Sequence, residues 1–327
     1  MNIQDKQSLS ILFVGHFAVD RIIRLKRLNK PTLGGSVTYC SLALKTYIKE
    51  VKIRILSHIG NLNFDLKMLD PLKNHKIDLQ GVKYSEVENT TFILEYFNHS
   101  RVLTLKSKSP NLEIKDIPPA YLKNPPDIIV LVPLCNEISY EYIKQILLKF
   151  PNSYVGIDLQ GFLRKTDQNG KVSYTFDENN ILNVTKIIDL IKDKLILKGS
   201  EEEMKLFTNN YSDFYEIMNY FKNYDSNGIY IMTLGEEGSM IYNKDNSILE
   251  IPAFRPNRIR DETGAGDVYF SIFLYEFLQS EKSWKDIKNA AYLASAAASF
   301  LVEEIGPSGC VVKKKILNRI KKKDYIK

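Results

Sequence analysis

Short apolar runs that stop at a glycine or a polar turn recur along this chain, with stretches of helical apolar spacing between them. Residues 10–15 (SILFVG) form a continuous apolar run closed by a glycine, which predicts a strand covered on both faces. Residues 51–59 alternate polar and apolar positions and predict the next strand. Residues 127–132 (DIIVLV) form another continuous run, stopped by Pro133, and 154–159, 194–197 and 228–234 repeat the design. Val37, Leu42 and Leu44 place a helix over 35–47, and helices are also predicted over 139–150 and 212–223. Strands alternating with helices predict a mainly parallel sheet covered on both faces, an α/β chain folded as a three-layer α/β/α sandwich.

The last third has a different texture. Residues 266–278 are apolar nearly all round and predict a buried helix. Ser283 and Asp286 have the spacing of a capping pair ahead of an alanine-rich helix over 287–302, and Gly306-Pro307 follow as a stop. Two stretches break the alternation. Residues 20–33 and 90–105 alternate apolar and polar positions, the second around a turn at Asn98-His99-Ser100. They predict antiparallel strands that form a small β lid, inserted in a single domain over 1–327.

With 327 residues and 44% hydrophobic content, the chain can bury a sizeable core without a disulfide or metal staple. Cys40, Cys135 and Cys310 are odd in number and far apart, which fits a reducing cytoplasm. The apolar run 11–14 is far too short for a leader or a membrane span. The net charge of +6 is concentrated in 313–327 (KKKILNRIKKKDYIK). No aromatic or glycine-rich pattern surrounds that run, so a solvated basic helix is expected there rather than a nucleic-acid contact. His16, His58, His75 and His99 are scattered without metal-ligand spacing.

The densest chemistry is Asp261-Glu262-Thr263-Gly264-Ala265-Gly266-Asp267, directly before the buried helix. Small residues let the backbone approach a ligand, and a helix N-terminus offers unpaired amides backed by a partial positive charge. That combination suits the charge that develops during phosphoryl transfer. A carboxylate at its rim repels phosphate, so Asp267 makes sense as the acceptor of a proton from an attacking hydroxyl.

This run resembles the C-terminal signature of the ribokinase-like carbohydrate kinases, the phosphofructokinase B-type family, and further segments fall in the order of that family over nearly the whole chain. The resemblance implies transfer of the γ-phosphoryl of ATP to a hydroxyl of a sugar, an inositol-like polyol or a nucleoside. It makes Asp267 the catalytic base and the amides of Gly264, Ala265 and Gly266 the anion hole. Pro31 to Ser36 (PTLGGS) resembles the di-glycine motif, which puts Gly34, Gly35 and Ser36 beside the acceptor with Asp20. Lys198 to Glu203 (KGSEEE) resembles the Asn-x-x-Glu motif, with Ser200 in place of Asn. There Lys198 and Ser200 face the nucleotide, and Glu203 holds Mg²⁺ through water. Thr233, Gly235 and Gly238 resemble the nucleotide loop, Ser295 falls on the adenine side, and 306–309 resembles a closing loop beside a K⁺ site. Residues 158–164 (DLQGFLR) are similar to a segment of inositol-kinase-like members, which brings Arg164 to substrate. Its other reading is a surface loop whose Arg164 pairs with Asp158. A sugar-phosphate acceptor would need a basic cluster, for which Arg21, Arg24 and Arg101 are available. The resemblance also implies a homodimer through lid strands. Tyr39, Ser200 and Ile272 depart from the family pattern and leave open a catalytically silent regulator that binds a nucleotide or metabolite on the same fold.

Overall fold

Every residue of β1 (Ser10–Val14) is buried, and its side chains divide by parity. Ile11 and Phe13 join one apolar cluster, Leu12 and Val14 the other. Two-sided burial is what a continuous apolar strand demands, so helices must cover both faces of the sheet it joins. The computed structural model describes residues 8–24, 27–28, 30–97, 100–208 and 210–326 and shows that arrangement.

In chain order the remaining strands are β2 (Ala18–Arg24), β3 (Arg27–Leu28), β4 (Thr32–Gly34), β5 (Lys52–Gly60), β6 (Asp78–Ser85), β7 (Thr91–Phe97), β8 (Ser100–Ser107), β9 (Ile128–Leu131) and β10 (Tyr154–Asp158). They continue with β11 (Lys165–Thr166), β12 (Val172–Ser173), β13 (Leu195–Ser200), β14 (Ile229–Thr233), β15 (Ser239–Tyr242) and β16 (Leu249–Ile251). The main sheet runs β16-β15-β14-β13-β10-β9-β1-β5-β6. From β6 to β14 all pairs are parallel, and β15 and β16 close one edge antiparallel. Helices Ser36–Tyr47, Ala265–Gln279 and Trp284–Leu301 supply the apolar cluster on one face. Helices Tyr140–Lys149, Glu178–Ile191, Glu201–Phe207 and Phe214–Tyr220 supply the other. Trp284–Leu301 starts with the expected capping box between Ser283 and Asp286.

The lid is a second sheet, β3-β2-β7-β8, with β4 paired to β2. The antiparallel expectation holds for β7 with β8 and for β2 with β3 and β4, but β2 and β7 run parallel. β2 follows β1 and β7 follows β6, two parallel strands of the main sheet, so both leave it at the strands' carboxyl ends and enter the lid in the same direction. Asn98 and His99 of the predicted turn lie outside the described residues. A small hairpin, β11 and β12, was not evident in the pattern and docks on the lid. Leu105 N–H donates to the Gly170 carbonyl at 2.7 Å, and Thr104 bridges Lys171.

The basic C-terminal run folds as the helix Lys313–Lys322, which is anchored. Ile316 is buried, and Lys313 and Arg319 pair with Glu276 and Glu303, each at 2.6 Å. Beyond it the chain pairs back, with Arg255 N–H donating to Asp324 at 2.9 Å and Ile326 N–H to Ala253 at 3.0 Å. No described helix is long and apolar enough to cross a membrane.

Candidate active site

The carboxyl ends of β10, β13 and β14 open beneath the lid into a cleft of about 940 Å³, where Asp158, Lys198, Ser200 and Thr233 emerge. Ligands gather at that end of open parallel sheets.

At the head of the helix Ala265–Gln279, Gly264 turns the chain with φ +83°. A Cβ there would overlap the ring of Tyr39, so both the left-handed turn and the close packing require glycine. The Ala265 amide closes a turn on the Glu262 carbonyl at 3.2 Å. Among the described residues, the amides of Gly264 and Gly266 have no hydrogen-bond partner, and both glycines line the cleft. The anion site therefore has two available amides where three were expected. Asp261 braces the approach, its carboxylate accepting from the amides of Thr263 at 3.2 Å and Gly306 at 3.3 Å.

Asp267 lines the same cleft one residue on. Its carboxyl is pushed up to about 7. Burial is the main cause and the charge of Asp158 adds to it, while Lys198, the Ser36 hydroxyl and Arg164 pull the other way. A carboxyl poised near neutrality can exchange protons with an alcohol at working pH.

Lys198 stands opposite Asp267. The β10–β13 register pairs Asp158 with Lys198, and Lys198 Nζ donates to Asp158 Oδ2 at 2.7 Å with both side chains buried. Burial alone would lower the lysine pKa, but Asp158, Glu203 and Asp267 outweigh it and hold the ammonium above its ordinary range. A Cβ on Gly266 would lie 2.9 Å from Nζ, so this glycine makes room for the cation beside the free amides.

Ser200 caps the helix Glu201–Phe207. Its N–H donates to Glu203 Oε2 at 2.7 Å, and its hydroxyl accepts from Glu203 N–H at 3.3 Å. Glu203 Oε1 accepts from the Tyr174 hydroxyl at 2.9 Å. Each carboxylate oxygen keeps acceptor capacity for water. Exposed Glu202 lies alongside, its pKa raised by partial desolvation and by Glu203. This acidic wall suits a hard divalent cation held mainly by phosphates and water. The tightest cluster of metal-type side chains among the described residues lies elsewhere, at His16, Cys135 and Glu137. There the protein already uses both His16 nitrogens, and Glu137 accepts from the amides of His16, Leu134 and Cys135.

At the lid end, Asp20 is buried with its carboxylate against Gly34, where a Cβ would overlap it. Gly35, at φ +91°, leads into Ser36 at the start of the next helix. Arg164 is buried rather than in a surface loop. Its Nε donates to the Tyr174 hydroxyl at 3.1 Å and Nη1 to the Leu134 carbonyl at 3.2 Å, so Asp158 is left to Lys198. Phe92, Leu94, Leu103 and Leu134 give this end an apolar wall. Arg21 Nε has no hydrogen-bond partner among the described residues, and the side chains of Arg24 and Arg101 lie outside them.

At the far end, Gly235 and Gly238 line the cleft, both at positive φ, near Thr233, whose hydroxyl donates to the Gly199 carbonyl at 3.4 Å. Ser295 donates to the Pro252 carbonyl at 2.7 Å, and Phe254, Pro256, Val302 and Ile326 complete an apolar slot. The fold thus gathers the expected catalytic, acceptor, nucleotide and metal residues around one cleft, Gly34 through its contact with Asp20, while neither Arg21 nor residues 306–309 line it. It adds Tyr174 and the Asp158–Lys198 pair, which no local motif announces. Two departures have structural roles, since Ser200 is a helix cap and Ile272 is core.

Comparisons with known proteins bear on the family and the fold. The sequence profile described as pfkB family carbohydrate kinase matches residues 41–314. A nucleoside kinase of Methanocaldococcus jannaschii is 37% identical over 92 residues, 28% of this chain and 28% of that one, so the match spans only about a quarter of that relative. A 5-dehydro-2-deoxygluconokinase of Clostridium beijerinckii is 26% identical over 320 residues, 90% of this chain and 88% of that one. Among solved structures, the M. jannaschii nucleoside kinase, described as an archaeal member of the ribokinase family, has a TM-score of 0.70 at 20% identity, covering 97% and 99% of the two chains. A fructokinase from Xylella fastidiosa with bound ATP has a TM-score of 0.77 at 16% identity, covering 96% and 98%. A pyrophosphate-dependent kinase of the same family, complexed with a pyrophosphate analog and myo-inositol, reaches 0.73 at 20% identity, covering 94% and 99%. At these identities the structural likeness establishes the ribokinase-like fold.

Proposed function

Because the chain belongs to the pfkB family of carbohydrate kinases, we propose that it transfers the γ-phosphoryl of ATP to a hydroxyl of a small polyhydroxylated acceptor. The observation that carries this reading is the convergence of three groups on one point of the cleft. These are the two unbonded amides of Gly264 and Gly266, the Lys198 ammonium beside them, and the carboxyl of Asp267 held near neutrality.

The acceptor lies between Asp20 and Asp267. Asp20 accepts hydrogen bonds from its hydroxyls, and Arg164 and Ser36 fix its orientation. Asp267 takes the proton of the attacking hydroxyl as the phosphoryl group moves in line. The Gly264 and Gly266 amides and Lys198 face the charge that grows on the transferring oxygens. The triphosphate extends past Ser200, Thr233, Gly235 and Gly238, with the base in the apolar slot by Ser295 and Ile326. Mg²⁺, reached through water from Glu203 and Glu202, neutralises phosphate charge when bound. The reading also includes potassium beside 306–309, a homodimer formed through lid strands, and residence in the cytoplasm, where ATP is abundant and three unpaired cysteines stay reduced. Tyr39 fills the space against Gly264, which favours an acceptor that does not need an amide from that position.

The wall of Phe92, Leu94 and Leu134 favours an acceptor with a flat apolar part, so nucleosides head the list, ahead of myo-inositol and free sugars. The test is ADP release with ATP and a panel of nucleosides, myo-inositol, fructose and ribose. Acceptor-dependent release with at least one of them is expected. Nucleotide binding without release across the whole panel would mark a silent regulator.

A further inference from the structure

Residues 165–174 carry the hairpin of β11 and β12 and end in Tyr174, whose hydroxyl joins two groups that are far apart in sequence. It accepts a hydrogen bond from Arg164 Nε at 3.1 Å and donates one to Glu203 Oε1 at 2.9 Å. A neutral phenol can do both at once, since it carries one O–H donor and free acceptor lone pairs. Burial, together with the charge of Glu203, raises the Tyr174 pKa and keeps the hydroxyl protonated. Arg164 is fixed at its other end by the Leu134 carbonyl, and Glu203 by the amide of Ser200. The hairpin is tied to the lid at Leu105 and Thr104 and turned by Asp167, whose carboxylate accepts from the amides of Asn169 and Lys171. The lid strand β8 is thus hydrogen-bonded to the hairpin, and the hairpin's covalent chain leads to Tyr174, whose hydroxyl reaches the acidic wall at the phosphate end.

We propose that Tyr174 is a positioning residue, which orients the Glu203 carboxylate toward the metal–phosphate end of the cleft and couples that orientation to the lid through the hairpin of β11 and β12. This rests on the kinase reading for the role of the cleft, but it concerns residues outside the glycine-rich anion site. Without the hydroxyl, Glu203 keeps its cap on Ser200 but loses the partner that fixes its outward oxygen, and Arg164 loses the partner of Nε. A carboxylate that acts through water depends on that orientation, as groups surrounding metal ligands generally do.

The test is calorimetry of ATP binding with Mg²⁺ and with EDTA, alongside steady-state kinetics. In the wild-type protein Mg²⁺ is expected to tighten ATP binding. In Tyr174→Phe we expect metal-free affinity within about twofold of wild type, the Mg²⁺-dependent gain reduced about fivefold or more, and kcat lowered about tenfold with acceptor KM little changed. Tyr174→Phe in a Glu203→Gln background is expected to add almost nothing. A second variant, Gly170→Val, keeps the Tyr174 hydroxyl but strains the turn, where φ is +82° and a Cβ would overlap the Leu105 carbonyl. It is expected to lose about half of the same gain. Either variant retaining the full Mg²⁺-dependent gain, an equal loss with and without metal, or additive effects with Glu203→Gln would overturn the proposal. Absence of acceptor-dependent ADP release from the wild-type protein would refute the kinase reading instead and leaves the binding experiment valid.

Discussion

At the scale of single residues, Asp267 and Lys198 define the electrostatics of the cleft. Folding raises the Asp267 carboxyl from the ordinary aspartate value of 3.8 to about 7, so the native state disfavours its ionised form. That cost is absent below pH about 4, grows as the pH rises toward 7 and is complete above it. Asp267→Asn should therefore unfold later than wild type at pH 8, by about 4 kcal/mol, and match it at pH 4, as read by urea denaturation at both pH values. The same carboxyl predicts an acid limb in kcat/KM with a midpoint near pH 7, activity rising as the base deprotonates. A flat profile between pH 6 and 8 would show that another group takes the proton. Lys198 differs, because its partner is buried with it. Lys198→Met strands the Asp158 carboxylate and should cost about 3–5 kcal/mol in the same assay, with Asp158→Asn restoring much of the loss. Asp267 could be read from the sequence, because seven consecutive residues carry its setting. The Asp158–Lys198 pair could not, because only the β10–β13 register sets residues 40 positions apart side by side. Tyr174 was equally hidden, its partners lying 10 and 29 positions away.

At the scale of elements, local patterns predicted whatever is buried on a regular period. The continuous runs of β1, β9 and β10 and the apolar helix Ala265–Gln279 carry their own signature, since their interior positions are buried on both faces and polar residues enter mainly at their ends. Edge elements lack it. In β6 (DLQGVKYS) most residues are exposed or half-buried, so the strand has no clear alternation, and the two-residue strands of the hairpin are too short to show a period. Capping is more local and was legible: Ser283 and Asp286 satisfy each other's amides. Because this cap lies outside the residues that line the cleft, Ser283→Ala should lower stability by about 1 kcal/mol in thermal melts and leave turnover unchanged. A change in turnover would mean that the helix Trp284–Leu301 transmits strain to the nucleotide slot that Ser295 and Ala298 line.

At the scale of the molecule, a thick two-faced sandwich supports a thin lid. Strand β9 is buried throughout, whereas the lid packs on a small cluster around Phe92, Leu94 and Leu134. Amide exchange should be slowest in β9 and about tenfold or more faster in β7 and β8, and ATP with an acceptor should slow the lid strands while leaving β9 as it was. Such closure would keep water from competing with the acceptor hydroxyl. The sandwich and the lid were both legible as patterns, but the parallel pairing of β2 with β7 follows only from where the two chains leave the main sheet. The function rests on lid, strand ends and helix head meeting at one place. The most direct test is single-turnover phosphoryl transfer in Asp267→Asn, measured together with its affinity for ATP. ATP affinity within about threefold of wild type, with transfer slowed by about a thousandfold or more, is predicted. Transfer at a near wild-type rate would contradict the assignment of the base and, with it, the chemistry ascribed to the cleft.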